Sequence, residues 1–389
     1  MSSKNIIVGV PKEIYGGEMR VALVPKMISS LKRLGQDIVI EKGAGNRAFF
    51  SDEEYEQAGA GVAPNAAQLY AEADIIVKIN PPQENMDEEK HEVEMMKQGC
   101  TYIGFLNPTK KPDVIRRMIE KTITGFDMEY MPRIARAQSM DILSSMSSIA
   151  GYRAVIIAAQ YLGKFFPLMM TAAGTIPPVR VMILGAGVAG LQAIATARRL
   201  GASVEAFDVR PAVREQIESL GAKCIGLDAI ETVETIGGYT KRVSDEFLES
   251  EREIIDSRIV HHDVVITTAK AFGENAPVLI TDGMVRRMKK GAVIVDIAAD
   301  QGGNCELTVA GKNIEKYGIT ICGVINLPAT FPVDGSILYS KNMTNFITNL
   351  YKTKDGTFDF EDEITRSTCI TYQGKIVNKA IKKTIQKEE

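Results

Sequence analysis

The sequence predicts an α/β protein built from two Rossmann-like domains, each a doubly wound parallel sheet, with a cleft between them. Three observations predict it. Short β-rich runs alternate with helical patterns from residue 6 to residue 130. A second series of the same kind starts near Pro177. That series opens on Gly185-Ala-Gly187-Val-Ala-Gly190, glycines spaced as a strand-to-helix turn around a phosphate needs them.

In the first series the strands are Ile6–Val10, Asp37–Glu41, Ile75–Ile79, Thr101–Leu106 and Thr124–Phe126. The helices are Pro25–Leu34, Asp52–Ala58, Ala66–Ala73, Glu88–Lys97 and Pro112–Lys121. The acidic stretch MDEEKHEVE (86–94) is read as a solvated helix face. In the second series the strands are Val181–Leu184, Ser203–Phe207, Lys223–Gly226, Asp263–Thr267, Ala292–Asp296 and Thr320–Gly323. A long amphipathic helix, Ser336–Leu350, follows, and CITYQGKIVN reads as a hairpin around a Gln-Gly turn. This tail is too short to be a domain, so it is expected to return to the first. The expected division is 1–143 plus 335–389, and 144–334 for the dinucleotide-binding domain. The Lys-rich end KAIKKTIQKEE is read as a frayed tail.

The chain has 389 residues, 45% hydrophobic and 24% charged, with a net charge of −3. That balance gives no general attraction to nucleic acid or to anionic membranes. Five cysteines, Cys100, Cys224, Cys305, Cys322 and Cys369, stand singly and read as reduced core thiols. The N-terminus runs straight into a strand without a signal stretch. The most apolar piece is taken to be Phe165–Ala173, too short to span a bilayer, so no direct membrane insertion is expected.

Each piece of the glycine motif has a physical task. Gly185 allows the tight turn, Gly187 lets backbone approach a pyrophosphate, and Gly190 permits close helix–strand packing. The helix N-terminus offers free N–H groups to phosphate. Asp208, at the end of the next strand, is placed to accept hydrogen bonds from a ribose and to repel a 2′-phosphate. NAD(H) is therefore favoured over NADP(H), with Arg210 as a complication, since an arginine there can tolerate that phosphate. The cofactor-binding residues read from this region are Gly185, Ala186, Gly187, Val188, Ala189, Gly190, Asp208, Val209 and Arg210, with Thr268 and Ala269 after a later strand. Gly238 and Tyr239, in ETIGGYTKRV, suit a lid over a bound ring, or simply a surface loop. DIAADQGGNC (296–305) follows the fifth strand and is a further cofactor contact. His261 and His262 are adjacent in an extended segment and face opposite ways, so no metal site is expected.

Between the two series lies MPRIARAQSMDILSSMSSIAGY, residues 131–152. Its polar residues, Arg133, Arg136, Gln138, Asp141 and Ser144, bind and orient better than they move protons. No histidine falls in this stretch. That suits a hydride jump between two cofactors, where positioning supplies most of the rate. The alternative is a set of caps and hinge hydrogen bonds.

The runs RAQSMDILSSMSSIAGYRAV, MMTAAGTIPPVRVMILGAGVAGLQAIATARRLGA and EAFDVRPAVREQIESLGAK resemble the NAD(H)-binding component of proton-translocating nicotinamide nucleotide transhydrogenases. GGYTK, APVLIT and GGNC continue the resemblance, and GVPKE…RVALVP is shared with the wider group that includes alanine dehydrogenases. The resemblance implies a Re/Si-specific transhydrogenase subunit. It would bind NAD(H) and pass hydride to NADP+ on a partner subunit, so it would be active only with that NADP-binding partner. It also implies membrane-spanning partner subunits, a homodimer, and a cytoplasmic place at the inner face of the cell membrane. Arg133, Gln138, Asp141 and Ser144 take the catalytic positions, and Tyr239 that of the mobile loop. Arg133 and Asp141 would hold each other and the carboxamide and ribose end of the ring. Gln138 would reach toward the partner's nucleotide. The sequence departs from the family pattern at GVINLPATFPVDGS, at Asp300-Gln301 and at Val243. An alanine dehydrogenase would need a lysine and a histidine where Asn80 and Phe105 stand, although Arg20 remains. A non-enzymatic NAD(H)-binding regulator would keep the glycine loop and Asp208 but has no use for the polar junction.

Overall fold

A computed structural model describes residues 6–226, 235–236, 239–240, 245–270, 275–352 and 357–385. The chain divides into two compact units, Met1–Met146 with Pro328–Glu389, and Ser147–Leu327.

The first unit is built on an eight-stranded sheet. Its order is Lys375–Ile376, Cys369–Tyr372, Thr124–Asp127, Thr101–Gly104, Ile75–Val77, Ile6–Val10, Gln36–Glu41, Gly61–Ala63. The two C-terminal strands pair antiparallel and the others run parallel. Gln373 and Gly374 turn the last hairpin with φ of 48° and 72°, the double positive φ that such a two-residue turn needs. The central strands Ile75–Val77 and Thr101–Gly104 are buried throughout, which is why they read as unbroken apolar runs.

Three expectations for this unit need correction. Glu88–Lys97 is not one helix: Glu84–Asn85 pairs with Lys90–His91, and only Glu92–Met95 is helical. Nor is 86–94 a solvated face. Glu92 and Lys78 are each 1% exposed, and Glu92 accepts from Lys78 Nζ at 2.6 Å and from the Tyr70 hydroxyl at 2.7 Å. A buried ion pair overrides local helix propensity here. The tail does not fray at Lys379: Lys379–Ile385 is a helix whose Ile381 and Ile385 enter the core.

The second unit is a seven-stranded sheet ordered Lys223–Ile225, Ser203–Phe207, Arg180–Leu184, Val264–Thr267, Val293–Asp296, Ile319–Gly323, Asn313–Lys316. The edge strand Asn313–Lys316 is antiparallel and is not foreseen by the sequence, because NIEK lacks an apolar alternation. Alternate residues of Arg180–Leu184 serve two layers. Val181 and Ile183 pack with Ala193, Ile194 and Ala197 of the helix Val188–Arg199. Met182 and Leu184 pack with Ile255 and Ile259 of Asp245–Ile259. Helices on both faces make the sheet doubly wound.

The helix Ile142–Tyr161 is 20 residues long, and is long and apolar enough to cross a membrane, which corrects the reading that no run reaches that length. Ala154, Val155 and Ala158 of this helix lie in the second unit's core. Met169–Thr171 and Gly174–Ile176 form a separate hairpin on which Met170 is 77% exposed.

Candidate functional site

The strand Arg180–Leu184 pairs with Ser203–Phe207 on one side and Val264–Thr267 on the other. The chain order reverses across this strand. Ligand crevices of such sheets form beyond the carboxyl ends of the strands at that point. Gly185 leaves the strand with φ +93°, and a Cβ there would lie 2.7 Å from Thr268 Oγ1. Thr268 Oγ1 donates to the Gly185 carbonyl at 3.0 Å. A Cβ on Gly190 would sit 1.9 Å from that same carbonyl oxygen. Gly187 differs: the nearest atom to its would-be Cβ is Arg210 Nη2 at 3.9 Å. So Gly185 and Gly190 are required by packing, while Gly187 borders open space. Gly187 is the N-cap of Val188–Arg199 and supplies no side-chain cap. That leaves first-turn N–H groups for an anion.

Asp208 is 4% exposed. It accepts from Ala186 N at 2.7 Å, Arg210 N at 2.9 Å, Arg210 Nε at 2.9 Å and Arg210 Nη2 at 2.8 Å. The structure therefore brings Ala186, Gly187, Asp208 and Arg210 together, with Val209 buried beside them. Asp208's hydrogen bond holds the Arg210 guanidinium above its ordinary pKa. Glu251, from Asp245–Ile259, is 6% exposed. Burial, helped by the charge of Asp208, pushes its carboxyl up to about 7.

After Val264–Thr267, Ala269 is fixed by Asn304: its N–H donates to Asn304 Oδ1 at 3.0 Å and its carbonyl accepts from Asn304 Nδ2 at 2.8 Å. Asp296 anchors the same loop, accepting from Thr267 Oγ1, Ala298 N, Asn304 N, Cys305 N and Thr308 Oγ1 at 2.6–3.0 Å. Lys270 Nζ bridges to both Asp300 oxygens at 2.7 and 2.9 Å. The sequence marks the 296–305 loop but not Asn304 as the residue that grips Ala269. Nor does it mark Glu251, which sits in an ordinary amphipathic helix. Gly238 and Val243 lie outside the described residues, and only the backbone of Tyr239 is described, paired through Tyr239–Thr240 with Thr235–Ile236.

The junction residues lie in the first unit. Ala135–Met140 is a 3₁₀ helix with Ala137 and Met140 buried and Arg133, Arg136 and Gln138 exposed. Asp141 Oδ1 accepts from Ser144 N at 2.9 Å and Oδ2 from Ser144 Oγ at 2.5 Å, so Asp141 caps the following helix. Arg136 donates with both arms to Asp362, and the Ser139 carbonyl accepts from Asn342 and Asn345. Hydrogen bonds hold Asp362 well below the usual carboxylate range, Arg136 contributing most. Within the second unit, a Cβ on Gly151 would lie 2.1 Å from the Ala189 carbonyl oxygen, so the helix carrying Gly151 meets the glycine turn backbone to backbone.

Among the described residues, no cluster of three His, Cys, Asp or Glu side chains could hold a metal ion. His262 is buried, with Nδ1 3.0 Å from the Arg258 carbonyl, and burial lowers its pKa. Burial pushes the thiols of Cys100 and Cys369 up to about 12 and those of Cys305 and Cys322 to about 11.

Models of the alanine dehydrogenase/PNT family match the chain along nearly its whole length, the N-terminal domain at 9–150 and the C-terminal domain at 154–379. The chain is 46% identical over 378 residues to an NAD(P) transhydrogenase alpha subunit of Rhodospirillum rubrum, covering 96% of this chain and 98% of that one. It is 31% identical to the alanine dehydrogenase of Staphylococcus saprophyticus, covering 85% and 84% of the two chains. Its fold superposes on the transhydrogenase of Sinorhizobium meliloti with a TM-score of 0.85 at 41% identity, covering 95% of this chain and 100% of that one.

Proposed function

The chain belongs to the alanine dehydrogenase/PNT family, among the alpha subunits of NAD(P) transhydrogenases, and from that premise we propose that it binds NAD(H) and passes hydride directly between NADH and NADP+ held on a partner subunit. The carrying observation is the glycine turn. It is packed shut at Gly185 and Gly190, open at Gly187, and ends on the buried carboxylate of Asp208. Those residues fit a dinucleotide: the first-turn N–H groups of Val188, Ala189 and Gly190 would take the pyrophosphate, and Asp208 the adenosine ribose. Thr268, Ala269, Val209 and Arg210 would line the same site, with Gly238 and Tyr239 as its lid.

Bound NADH supplies the hydride. The chain's own residues do the orienting. Arg133, Gln138, Asp141 and Ser144 are the proposed catalytic group, with Asp141 and Ser144 locked together and Arg133 and Gln138 exposed. Arginine and glutamine do not exchange protons usefully, which suits a step that moves none. Holding two nicotinamides in a reactive pose supplies the rate. The partners are membrane-spanning and NADP-binding transhydrogenase subunits, through which the chain sits at the cytoplasmic face of the cell membrane. The reaction is Re/Si-specific and requires the partner. A homodimer accords with the hairpin Met169–Ile176, on which Met170 is exposed, as is Leu168 just before it; an isolated two-stranded hairpin is marginal in water without a surface to cover it.

Amino-acid dehydrogenation is disfavoured at the residue level. Asn80 offers an amide, not an ammonium, and its Nδ2 is bound by Glu13 and Glu18 at 3.1 Å. Phe105 packs edge-on against Tyr339 with ring centroids 6.4 Å apart. The deciding experiment mixes this chain with a purified NADP-binding transhydrogenase component and follows NADH-to-NADP+ hydride transfer, each protein alone serving as control. Fast transfer in the mixture only is the expected result. Binding of NADH without transfer, or alanine-dependent NADH formation at ordinary enzyme rates, would end this reading.

A further inference from the structure

The loop that carries Gln138 is a six-residue 3₁₀ helix, Ala135–Met140. Such short helices have little stability of their own, so the direction of an exposed side chain on one is set by what holds the backbone. Two anchors flank Gln138. On one side Arg136 forks onto Asp362, with Nη1 at 3.0 Å. Asp362 is 2% exposed at its side chain and is itself fixed by Lys352 Nζ at 2.8 Å, Asn349 Nδ2 at 3.1 Å and Ile364 N at 3.0 Å. On the other side the Ser139 carbonyl accepts from Asn342 Nδ2 at 2.9 Å and Asn345 Nδ2 at 3.0 Å. These two asparagines are three residues apart on the helix Pro332–Leu350 and so share a face.

Asn342 carries the stronger hint. It is buried, and its Oδ1 has no hydrogen-bond partner among the described residues. A buried unsatisfied amide oxygen is a standing penalty. A position serving only helix packing would shed it by becoming apolar. An amide is kept there because its other end grips the loop.

We propose that Asn342, Asn345 and Asp362 are positioning residues, a clamp from the C-terminal segment that sets the aim of Gln138 for hydride transfer. This rests on the functional reading above and adds residues to it. The clamp acts on geometry and not on cofactor affinity, because it touches only the junction loop.

The test uses the full-length chain in the two-protein mixture. Asn345→Ala removes an exposed amide and leaves the core intact; Asp362→Asn and Asn342→Ala cut deeper. Each is expected to lower the hydride-transfer rate constant by about tenfold or more, since an ångström of misplacement costs on the order of 100-fold. NADH dissociation constants should stay within about twofold of wild type. Arg136→Lys, which keeps the charge, should retain more rate than Arg136→Ala. Should the deeper variants fail to fold, Asn345→Ala and the Arg136 pair decide. Transfer at the wild-type rate in folded Asn345→Ala refutes the clamp, as does a loss of rate matched by an equal loss of NADH binding. A wild-type chain that transfers no hydride refutes the functional reading itself, and the clamp with it.

Discussion

The glycine turn at 185–190 and the junction loop at 133–144 solve positioning in opposite ways. The turn works with backbone. Its requirements are the missing side chains at Gly185 and Gly190 and the free N–H groups that follow, all within one strand–helix–strand run. The junction works with side chains, and its backbone is held by Asn342, Asn345 and Asp362, about two hundred residues further along the chain. A site made of backbone can be written in one short stretch. A site made of aimed side chains borrows its rigidity from wherever the fold provides it.

The hardest way to break the comparison is Gly190→Ala. Its methyl would lie 1.9 Å from the Gly185 carbonyl oxygen, so the turn must open. We expect NADH affinity to fall by more than about 100-fold and stability by roughly 3 kcal/mol. Titration calorimetry and thermal melts would read both, and near-wild-type binding would show that the turn is not closed by local packing.

Glu251→Gln tests how local the turn's acidic end is. Glu251 is raised to about 7 in the folded chain from its ordinary 4.5, chiefly by burial and then by Asp208. A carboxyl raised on folding stabilises the fold fully below 4.5 and loses that contribution as pH rises through 7. Wild type should therefore lose about 2 kcal/mol between pH 5 and 8, a slope the glutamine variant lacks. Parallel stability profiles would remove the coupling.

Asp208→Asn is the mildest of the three. One charged acceptor for Ala186 N and for Arg210 becomes neutral. NADH affinity should fall about tenfold and the preference over NADPH should narrow. Equal and unchanged dissociation constants for both nucleotides would take Asp208 off the ribose.

Much of the fold is legible in the sequence because buried parallel strands are written as apolar runs. Val181–Leu184 and Val264–Thr267 are legible for that reason, and Gly185 through Asp208 because each residue acts through its nearest neighbours. Legibility ends where distant partners decide. Glu92 reads as one more solvated acid until Lys78 and Tyr70 close on it. NIEK at 313–316 becomes a strand only because Ile319–Gly323 lies beside it. Lys379–Ile385 is helical because Ile381 and Ile385 find a core. At the junction, Arg133, Gln138 and Asp141 can be named from the sequence, but the tie from Asp141 to Ser144 and the anchors of Ser139 cannot. Both are matters of which atoms meet.

The two C-terminal strands have a consequence for synthesis. Cys369–Tyr372 pairs with Thr124–Asp127, and the first unit also needs the helix Pro332–Leu350. A chain emerging from the ribosome can complete the unit Ser147–Leu327 while the sheet begun before it is still short of its edge. Until the last residues are made, Thr124–Asp127 is an open edge with unpaired N–H and C=O groups, inviting pairing with another nascent chain. The first domain to be translated is thus the last to be finished, and truncations that spare every candidate site residue should still leave that edge unsealed.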